Sequence, residues 1–330
     1  VEQGMPSAQT APIVEDALGR IWVGTTNGLA RLDGHSIRTF VADVADPHAL
    51  VSNSVDALSV DHIGRVWVAT QGGHVARHRI DSDDFERIDW GGADIAVWAL
   101  APLGDDMLLG TMGKGVLRLD MRGQTSAIAE MSANNVLNLY ADSGSVWLGS
   151  LTGELWHIDG TSAQRITGPP EDQVLGLNAR NGVAHFTTAD GRYCTARSDG
   201  SKHCESVPEI ARPGRLRMVL PLDDSVWLGG DGELLHWPES AKPQRIPFRP
   251  GAIGGIPSQG FWAGYADRSG NIWLSTRGGG LLQWSTSARR FSVWAPDVAQ
   301  DTGYNVGRVR GIARRPGGEL LLATFGAGLI

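Results

Sequence analysis

Length, composition and charge place this chain among compact, turn-rich proteins. It has 330 residues, of which 42% are hydrophobic and 20% charged, and its formal net charge is -7. The apolar fraction excludes intrinsic disorder, the acidic balance argues against a general nucleic-acid surface, and no apolar run reaches the ~18 residues that a membrane span requires. Glycine (44 residues) and tryptophan (12 residues) exceed their average shares, which is typical of all-β proteins and not of long helical ones.

One pattern recurs from the N-terminus onward: an apolar strand, an Asp/Gly turn, and a strand with tryptophan between two aliphatic residues. It is first met at 15–29 and returns at 61–70 and 267–276, with shorter copies at 145–150 and 225–230. Leucine or histidine replaces the tryptophan in three further copies. The eight marker positions lie on average about 43 residues apart, which is the signature of a repeat architecture; they are Trp22, Trp67, Leu108, Trp147, His185, Trp227, Trp273 and Leu321.

Each repeat contains four short β runs, which in the second repeat span 55–60, 65–69, 74–80 and 85–90. Four strands in roughly 40–45 residues are typical of propeller blades and not of leucine-rich or helical repeats. We therefore predict an all-β fold, a β-propeller of four-stranded antiparallel blades. The repeated tryptophans are expected to be structural plugs between neighbouring blades, at Trp22, Trp67, Trp147, Trp227 and Trp273.

The chain stops early in its eighth repeat, at Leu329-Ile330. Because domains do not usually end inside a strand, we expect the sequence to be cut from a longer protein. The simplest count is a seven-bladed propeller over 1–305, followed at 306–330 by the start of an eighth repeat. That last segment either opens a second propeller or helps to close the first, and an eight-bladed ring is the alternative.

The two cysteines, Cys194 and Cys204, flank a predicted hairpin turn at 198–200. The midpoint of their positions is Asp199, so they would face each other across the two strands. Opposed Cβ atoms lie ~4.5–5.5 Å apart, a separation that strand twist can bring within disulfide range. We predict a structural disulfide in an exported protein. Two free thiols packed as small apolar residues are the alternative.

The sequence contains no recognisable catalytic or metal-binding pattern. His74 and His78 are four residues apart on a predicted strand, which separates them by ~13 Å, too far to bind one metal ion. His185, in a plug position, is predicted to be a hydrogen-bonded core residue. No serine lies in a Gly-x-Ser-x-Gly turn. We therefore predict that this segment is not an enzyme and has no metal or cofactor, with a sialidase-like hydrolase or a lyase as an alternative.

A ligand-binding site is predicted at the start of the innermost strands. Alignment of the repeats on Asp56 places tryptophan or arginine at its position in four other repeats, whereas a structural position should keep one residue type. Tryptophan faces suit sugar rings, and arginine suits carboxylate or sulfate groups. The loops after the second strands open towards the same end. The candidates are Asp56, Trp98, Arg217, Trp262 and Arg310 on the strands and Gln71, Lys114, Asp231, Arg277 and Phe325 on the loops.

The alternative for these candidates is that they fill gaps between blades and solvated turns. If they do bind a ligand, we expect an acidic saccharide, such as an oligosaccharide, or a similar polar molecule.

The repeat resembles the two-component regulator propeller family, the periplasmic sensor regions of bacterial hybrid histidine kinases and related signalling proteins. The resemblance rests on Asp-x-x-Gly-x-aliphatic-Trp-aliphatic-Gly/Ala-Thr, on Gly-Leu-Ala-Arg-Leu-Asp-Gly at 28–34 and on the linker at 46–55. It implies a periplasmic, ligand-sensing domain of an inner-membrane receptor, with a second propeller, an immunoglobulin-like module, one membrane span and a kinase or cyclase output. Breakdown products of polysaccharides are often the ligands in that family.

Partners are therefore expected to be a small polar ligand and the further domains of the same receptor, which we expect to form a homodimer at full length. A protein-interaction propeller without a small ligand, dimerising through its blade edges, is a third class of function.

Overall fold

The computed structural model describes residues 5–34, 36–92, 94–128, 131, 133–167, 174–207, 216–248, 256, 260–285, 308–314, 320–325 and 328–329. The chain divides into two compact units, Val1–Trp284 and Ser285–Ile330. Within the described ranges, no helix is long and apolar enough to span a membrane.

The first unit consists of seven antiparallel sheets, and the strands of each sheet are consecutive in sequence. Blades 1 to 4 are formed by β1 (Thr10–Glu15), β2 (Ile21–Thr25), β3 (Gly28–Asp33), β4 (Ser36–Phe40); β5 (Val55–Val60), β6 (Val66–Thr70), β7 (His74–Arg79), β8 (Asp84–Ile88); β9 (Val97–Leu103), β10 (Asp106–Thr111), β11 (Val116–Leu119), β12 (Thr125–Ala127); and β13 (Val136–Asp142), β14 (Ser145–Ser150), β15 (Leu155–Asp159), β16 (Ser162–Thr167).

Blades 5 to 7 follow the same order, and blade 7 has three strands among the described residues. They are formed by β17 (Val174–Arg180), β18 (Val183–Thr188), β19 (Arg192–Arg197), β20 (Lys202–Ser206); β21 (Leu216–Pro221), β22 (Ser225–Gly230), β23 (Glu233–Pro238), β24 (Gln244–Arg245); and β25 (Phe261–Ala266), β26 (Ile272–Thr276), β27 (Leu281–Trp284).

The second unit contains one three-stranded antiparallel sheet, with strands in sequence order. Its strands are β28 (Arg308–Arg314), β29 (Leu320–Phe325) and β30 (Gly328–Leu329). The predicted domain boundary between 305 and 306 lies outside the described residues.

The aspartate of the repeat motif organises the hairpin between the first two strands of a blade. In blade 2, Asp61 Oδ1 accepts the backbone N–H groups of Ile63 and Arg65, at 3.2 and 2.9 Å. Gly64 has a φ of 87°, a conformation that L side chains rarely adopt. Asp61 Oδ2 accepts the indole N–H of Trp67 at 2.9 Å. One carboxylate therefore both forms the turn and orients the tryptophan.

The same bond recurs where the motif is complete and is missing where it is shortened. Asp16 accepts the indole N–H of Trp22, and Asp267 accepts that of Trp273, in both cases at 2.8 Å. In blade 4 the turn is shorter, and the buried indole N–H of Trp147 has no hydrogen-bond partner among the described residues.

The repeated tryptophans lie in hydrophobic clusters that join neighbouring blades. Trp67 of blade 2 packs with Val97 and Leu109 of blade 3. Trp273 of blade 7 packs with Ile13 and Val23 of blade 1. Burial of such large apolar side chains is the main favourable contribution to joining the blades.

Blade 7 closes the ring directly against blade 1. The backbone N–H groups of Gly278 and Gly280 donate to the carbonyl of Ala8, at 3.0 and 2.9 Å. Blades 1 and 2 are joined by an equivalent bond, in which the N–H of Gly28 donates to the carbonyl of Asn53 at 2.7 Å. Since the closing junction repeats the other junctions, the ring has seven blades. The seven-bladed prediction is confirmed, and the eight-bladed alternative is not observed.

Blade 5 departs from the other blades at its plug and on its outer strands. His185 lies where the tryptophan would be, and its Nδ1 is 2.6 Å from the hydroxyl of Tyr193. Burial lowers the pKa of His185 to about 4, so this histidine is neutral at physiological pH. On β19 and β20, Cys194 and Cys204 are directly opposed and form a disulfide.

Candidate functional site

A β-bulge interrupts the first strand of every blade in the ring. In blade 2 the pairing with the second strand shifts between Val55 and Ala57, so Asp56 lies in the bulge. Trp98 and Arg217 occupy the same position in blades 3 and 6. A bulged residue does not follow the alternation of the strand, and bulges are a common means of redirecting a side chain next to a functional site.

The bulged residues surround one cavity, which we call the channel mouth. The first strands of neighbouring blades contact one another around the ring, and the residues of this cavity lie at one end of those strands. Its volume is about 470 Å³, and residues of all seven blades line it. Five of the predicted site residues are among them: Asp56, Trp98, Arg217, Trp262 and Arg277.

Trp262 is the centre of a cation–π cluster on the side of the mouth formed by blades 6 and 7. The guanidinium carbon of Arg217 lies 5.5 Å from the centroid of its ring, and that of Arg277 lies 6.0 Å away. Trp262 is nevertheless 40% exposed. Each guanidinium group has a planar set of donors suited to a carboxylate or sulfate, and the exposed indole suits the face of a sugar ring.

Blade 2 contributes to the mouth a carboxylate without a partner among the described residues. Asp56 is half-buried and makes no hydrogen bond or ion pair with a described residue. Burial raises its pKa to about 6, because no nearby donor compensates for the lost hydration. Next to it, in blade 3, Trp98 is 45% exposed. This side of the mouth therefore offers a hydrogen-bond acceptor beside a second aromatic surface.

A second cavity of about 460 Å³ shares Trp98, Arg217 and Trp262 with the mouth and extends along the first strands. Tyr140 and Tyr265 line its further part. Burial raises the pKa of Tyr265 to about 12, so its hydroxyl is neutral and can both donate and accept hydrogen bonds. The mouth thus leads into a channel whose walls are mainly apolar and carry a few polar side chains.

Three of the remaining predicted residues do not line the mouth. Gln71, Lys114 and Asp231 follow second strands at the same end of the ring, but they are not among the residues that line the cavity. Arg310 and Phe325 lie on β28 and β29 of the second unit, and their side chains are outside the described part of the chain.

Sequence reasoning missed several residues that line the mouth. Leu137 and Leu175 are the bulged residues of blades 4 and 5, and an apolar residue on an inner strand looks like core. Gln9 and Thr10 line the mouth from the segment that closes the ring. In the alignment of the repeats, the two leucines occupy the position of Asp56, and this position was the signal that could have identified them.

Within the described residues, no group of three or more histidine, cysteine, aspartate or glutamate side chains is placed to hold a metal ion. No protein-family model and no curated protein matches this sequence.

Solved structures share the fold at low sequence identity. An extracellular domain assigned to a hybrid two-component system of B. thetaiotaomicron matches with 17% identity and a TM-score of 0.72, over 99% of this chain and 46% of that chain. One assigned to a one-component system of the same organism matches with 16% identity and a TM-score of 0.70, over 97% and 44%. Virginiamycin B lyase from Staphylococcus aureus matches with 13% identity and a TM-score of 0.66, over 83% and 94%.

These comparisons establish a propeller fold that extracellular domains assigned to signalling systems and a lyase both have. The chain spans less than half the length of the two extracellular domains that it matches. The repeat motif resembles two-component regulator propellers and thereby predicted a propeller fold. These extracellular domains have that fold.

Proposed function

We propose that this chain is the extracytoplasmic ligand-sensing β-propeller domain of a bacterial membrane-bound signalling receptor. In this proposal it binds a saccharide or similar polar ligand at the channel mouth and acts together with further domains of the same receptor. The observation that carries the proposal is the exposed Trp262 beside the guanidinium groups of Arg217 and Arg277, at the rim of a 470 Å³ cavity.

Two further observations support this function. The fold is shared with extracellular domains assigned to signalling systems. The disulfide between Cys194 and Cys204 is typical of proteins from oxidising compartments such as the periplasm. A sensor domain needs a ligand site rather than reactive groups, and the mouth supplies aromatic surface and guanidinium donors.

The direct test is the affinity of variants for members of a panel of neutral and acidic glycans. Arg277→Ala should weaken binding by about tenfold or more, since charge-assisted hydrogen bonds contribute roughly 1.5–3 kcal/mol. Trp262→Ala should also weaken binding by about tenfold, because it removes the aromatic surface for the ligand and the ring beside which both guanidinium groups lie. Lys114→Ala is the matched control, because Lys114 is a cation at the same end of the ring but outside the cavity lining. Its affinity should stay within about twofold of the original protein.

Unchanged affinity of Trp262→Ala and Arg277→Ala, for a glycan that the original protein binds, would contradict this placement of the site. Equal losses in all three variants would indicate a nonspecific electrostatic effect and would also contradict it.

A further inference from the structure

The charges of the channel mouth define a chemical class of ligand. We propose that the ligand is zwitterionic, with a protonated amine that binds at Asp56 and a carboxylate that binds between Arg217 and Arg277. This inference rests on the proposed function, because it concerns the same cavity, and it goes further by requiring both charges on one molecule.

The charged side chains of the mouth come from different blades of the ring. Asp56 belongs to blade 2, Arg217 to blade 6 and Arg277 to blade 7. In a seven-bladed ring, blades 2 and 6 are separated by three blades on one side and by two on the other. Blades 2 and 7 are separated by blade 1 alone on the shorter side. The carboxylate and the two guanidinium groups therefore come from separate blades around the same cavity, and they are its only charged groups among the described lining residues.

The Asp56 carboxylate has no cationic partner among the described residues. It forms no ion pair or hydrogen bond with a described residue, although it is half-buried. A carboxylate that has lost hydration without gaining a donor is unfavourable, and a bound cation or donor restores the balance. A purely anionic ligand would leave Asp56 unpaired and repelled, and an ammonium group on the ligand would pair with it.

An exposed tryptophan lies near the carboxylate, and another lies beside the guanidinium groups. Trp98 lies in the blade next to Asp56 and is 45% exposed, so its ring can contribute a cation–π contact to an ammonium group near that carboxylate. On blades 6 and 7, the guanidinium carbons of Arg217 and Arg277 lie 5.5 and 6.0 Å from the ring centroid of Trp262, so two sets of donors lie beside one aromatic ring. Both ends of a zwitterion thus meet an aromatic side chain and a group of opposite charge.

Short peptides with free termini and acidic saccharides with a free amino sugar both carry this pair of charges. The test uses calorimetry on the whole 330-residue chain with both series. One series is a set of dipeptides with their N-acetyl and C-amide derivatives. The other is a glucosaminyl-glucuronic acid disaccharide with its N-acetyl and methyl ester derivatives.

In at least one series, blocking the amine and blocking the carboxylate should each weaken binding by at least tenfold. Asp56→Asn should remove the preference for the free amine and retain the preference for the free carboxylate. Arg277→Gln should reduce only the preference for the carboxylate. Thermal unfolding of each variant establishes that it is folded, and the series that binds identifies the source of the ligand.

Equal affinity for free-amine and N-acetyl probes would overturn the zwitterion, and so would a failure of every free-amine probe to bind. Trp262→Ala separates this failure from that of the proposed function. If it abolishes binding of a neutral or purely acidic glycan, the mouth is the ligand site but the ligand is not zwitterionic. If it leaves all binding unchanged, both proposals fail.

Discussion

Two aspartates of blade 2 show opposite environments for the same side chain. Asp61 is buried, which acts to raise its pKa, but hydrogen bonds from Trp67 and Arg65 outweigh burial and hold the pKa below its ordinary value. Asp56 has only burial, which raises its pKa to about 6. The first carboxylate therefore stabilises the fold, whereas the second is held at the channel mouth at a cost to stability.

Replacement of Asp56 by asparagine should stabilise the protein near neutral pH. The folded-state pKa of about 6 lies above the ordinary value of 3.8, so the folded protein loses stability as pH rises between these values. At about pH 7, Asp56→Asn should raise the free energy of unfolding by about 1–2 kcal/mol, after allowance for partial exposure. Urea unfolding at about pH 4 and about pH 7 measures this, with the gain expected only at the higher pH.

A gain of equal size at both pH values would contradict the burial of an unpaired carboxylate. A loss of stability at neutral pH would show that Asp56 has a stabilising partner in solution.

Replacement of Asp61 by asparagine should have the opposite effect. The amide nitrogen cannot accept the indole N–H of Trp67, so a buried donor loses its partner, at a cost of about 1–3 kcal/mol. Asp120→Asn is the matched control, because Asp120 Oδ1 accepts the backbone N–H groups of Arg122 and Gln124 in a similar turn, both at 2.8 Å. Denaturant unfolding should show a clear loss for the first variant and less than about 0.5 kcal/mol for the control.

Similar losses in the two variants would mean that the turn, and not the bond to the indole, is what the aspartate of the motif contributes.

The sequence predicted the strands and hairpin turns that the repeats share, and it missed the features that differ from blade to blade. The complete motif at Asp61–Thr70 identifies its turn and plug because each residue type has one local task. The β-bulge at Asp56 could not be recognised, since the shift in pairing depends on the neighbouring strand. Gln71 and Arg277 each directly follow the threonine that ends a second strand, yet only Arg277 lines the mouth, at the junction where the N-terminal segment closes the ring. Such differences follow from tertiary packing.

The disulfide of blade 5 should stabilise the hairpin of β19 and β20. It closes a loop of 10 residues in sequence separation, and a loop of that size corresponds to about 2–3 kcal/mol in the chain-entropy treatment. The double replacement Cys194→Ala and Cys204→Ser should lower the free energy of unfolding by about this amount. Reductant should lower the melting temperature of the original protein and leave that of the double variant unchanged.

Thiol titration of protein recovered from an oxidising compartment is the measurement that could contradict this prediction. Two free thiols there, together with melting that does not respond to reductant, would exclude the disulfide as a stabilising element.

The complete ring is what gives the channel mouth its shape, because bulged residues of separate blades meet only when the ring is closed. Trp67 and Trp273 are equivalent plugs, both bonded to an aspartate. A closed ring predicts that Trp67→Phe and Trp273→Phe destabilise by similar amounts, about 1–3 kcal/mol each. A much smaller cost for Trp273→Phe in urea unfolding would indicate that the junction between blades 7 and 1 is open.

The proposed ligand site is tested most directly by a crystal structure of the chain with the tightest-binding compound of the glycan, dipeptide and amino-sugar panels. We predict electron density for that compound in the channel mouth, in contact with Trp262 and at least one of Arg217 and Arg277. Density for it at any other place on the ring, with the mouth occupied by solvent alone, would contradict the proposed site.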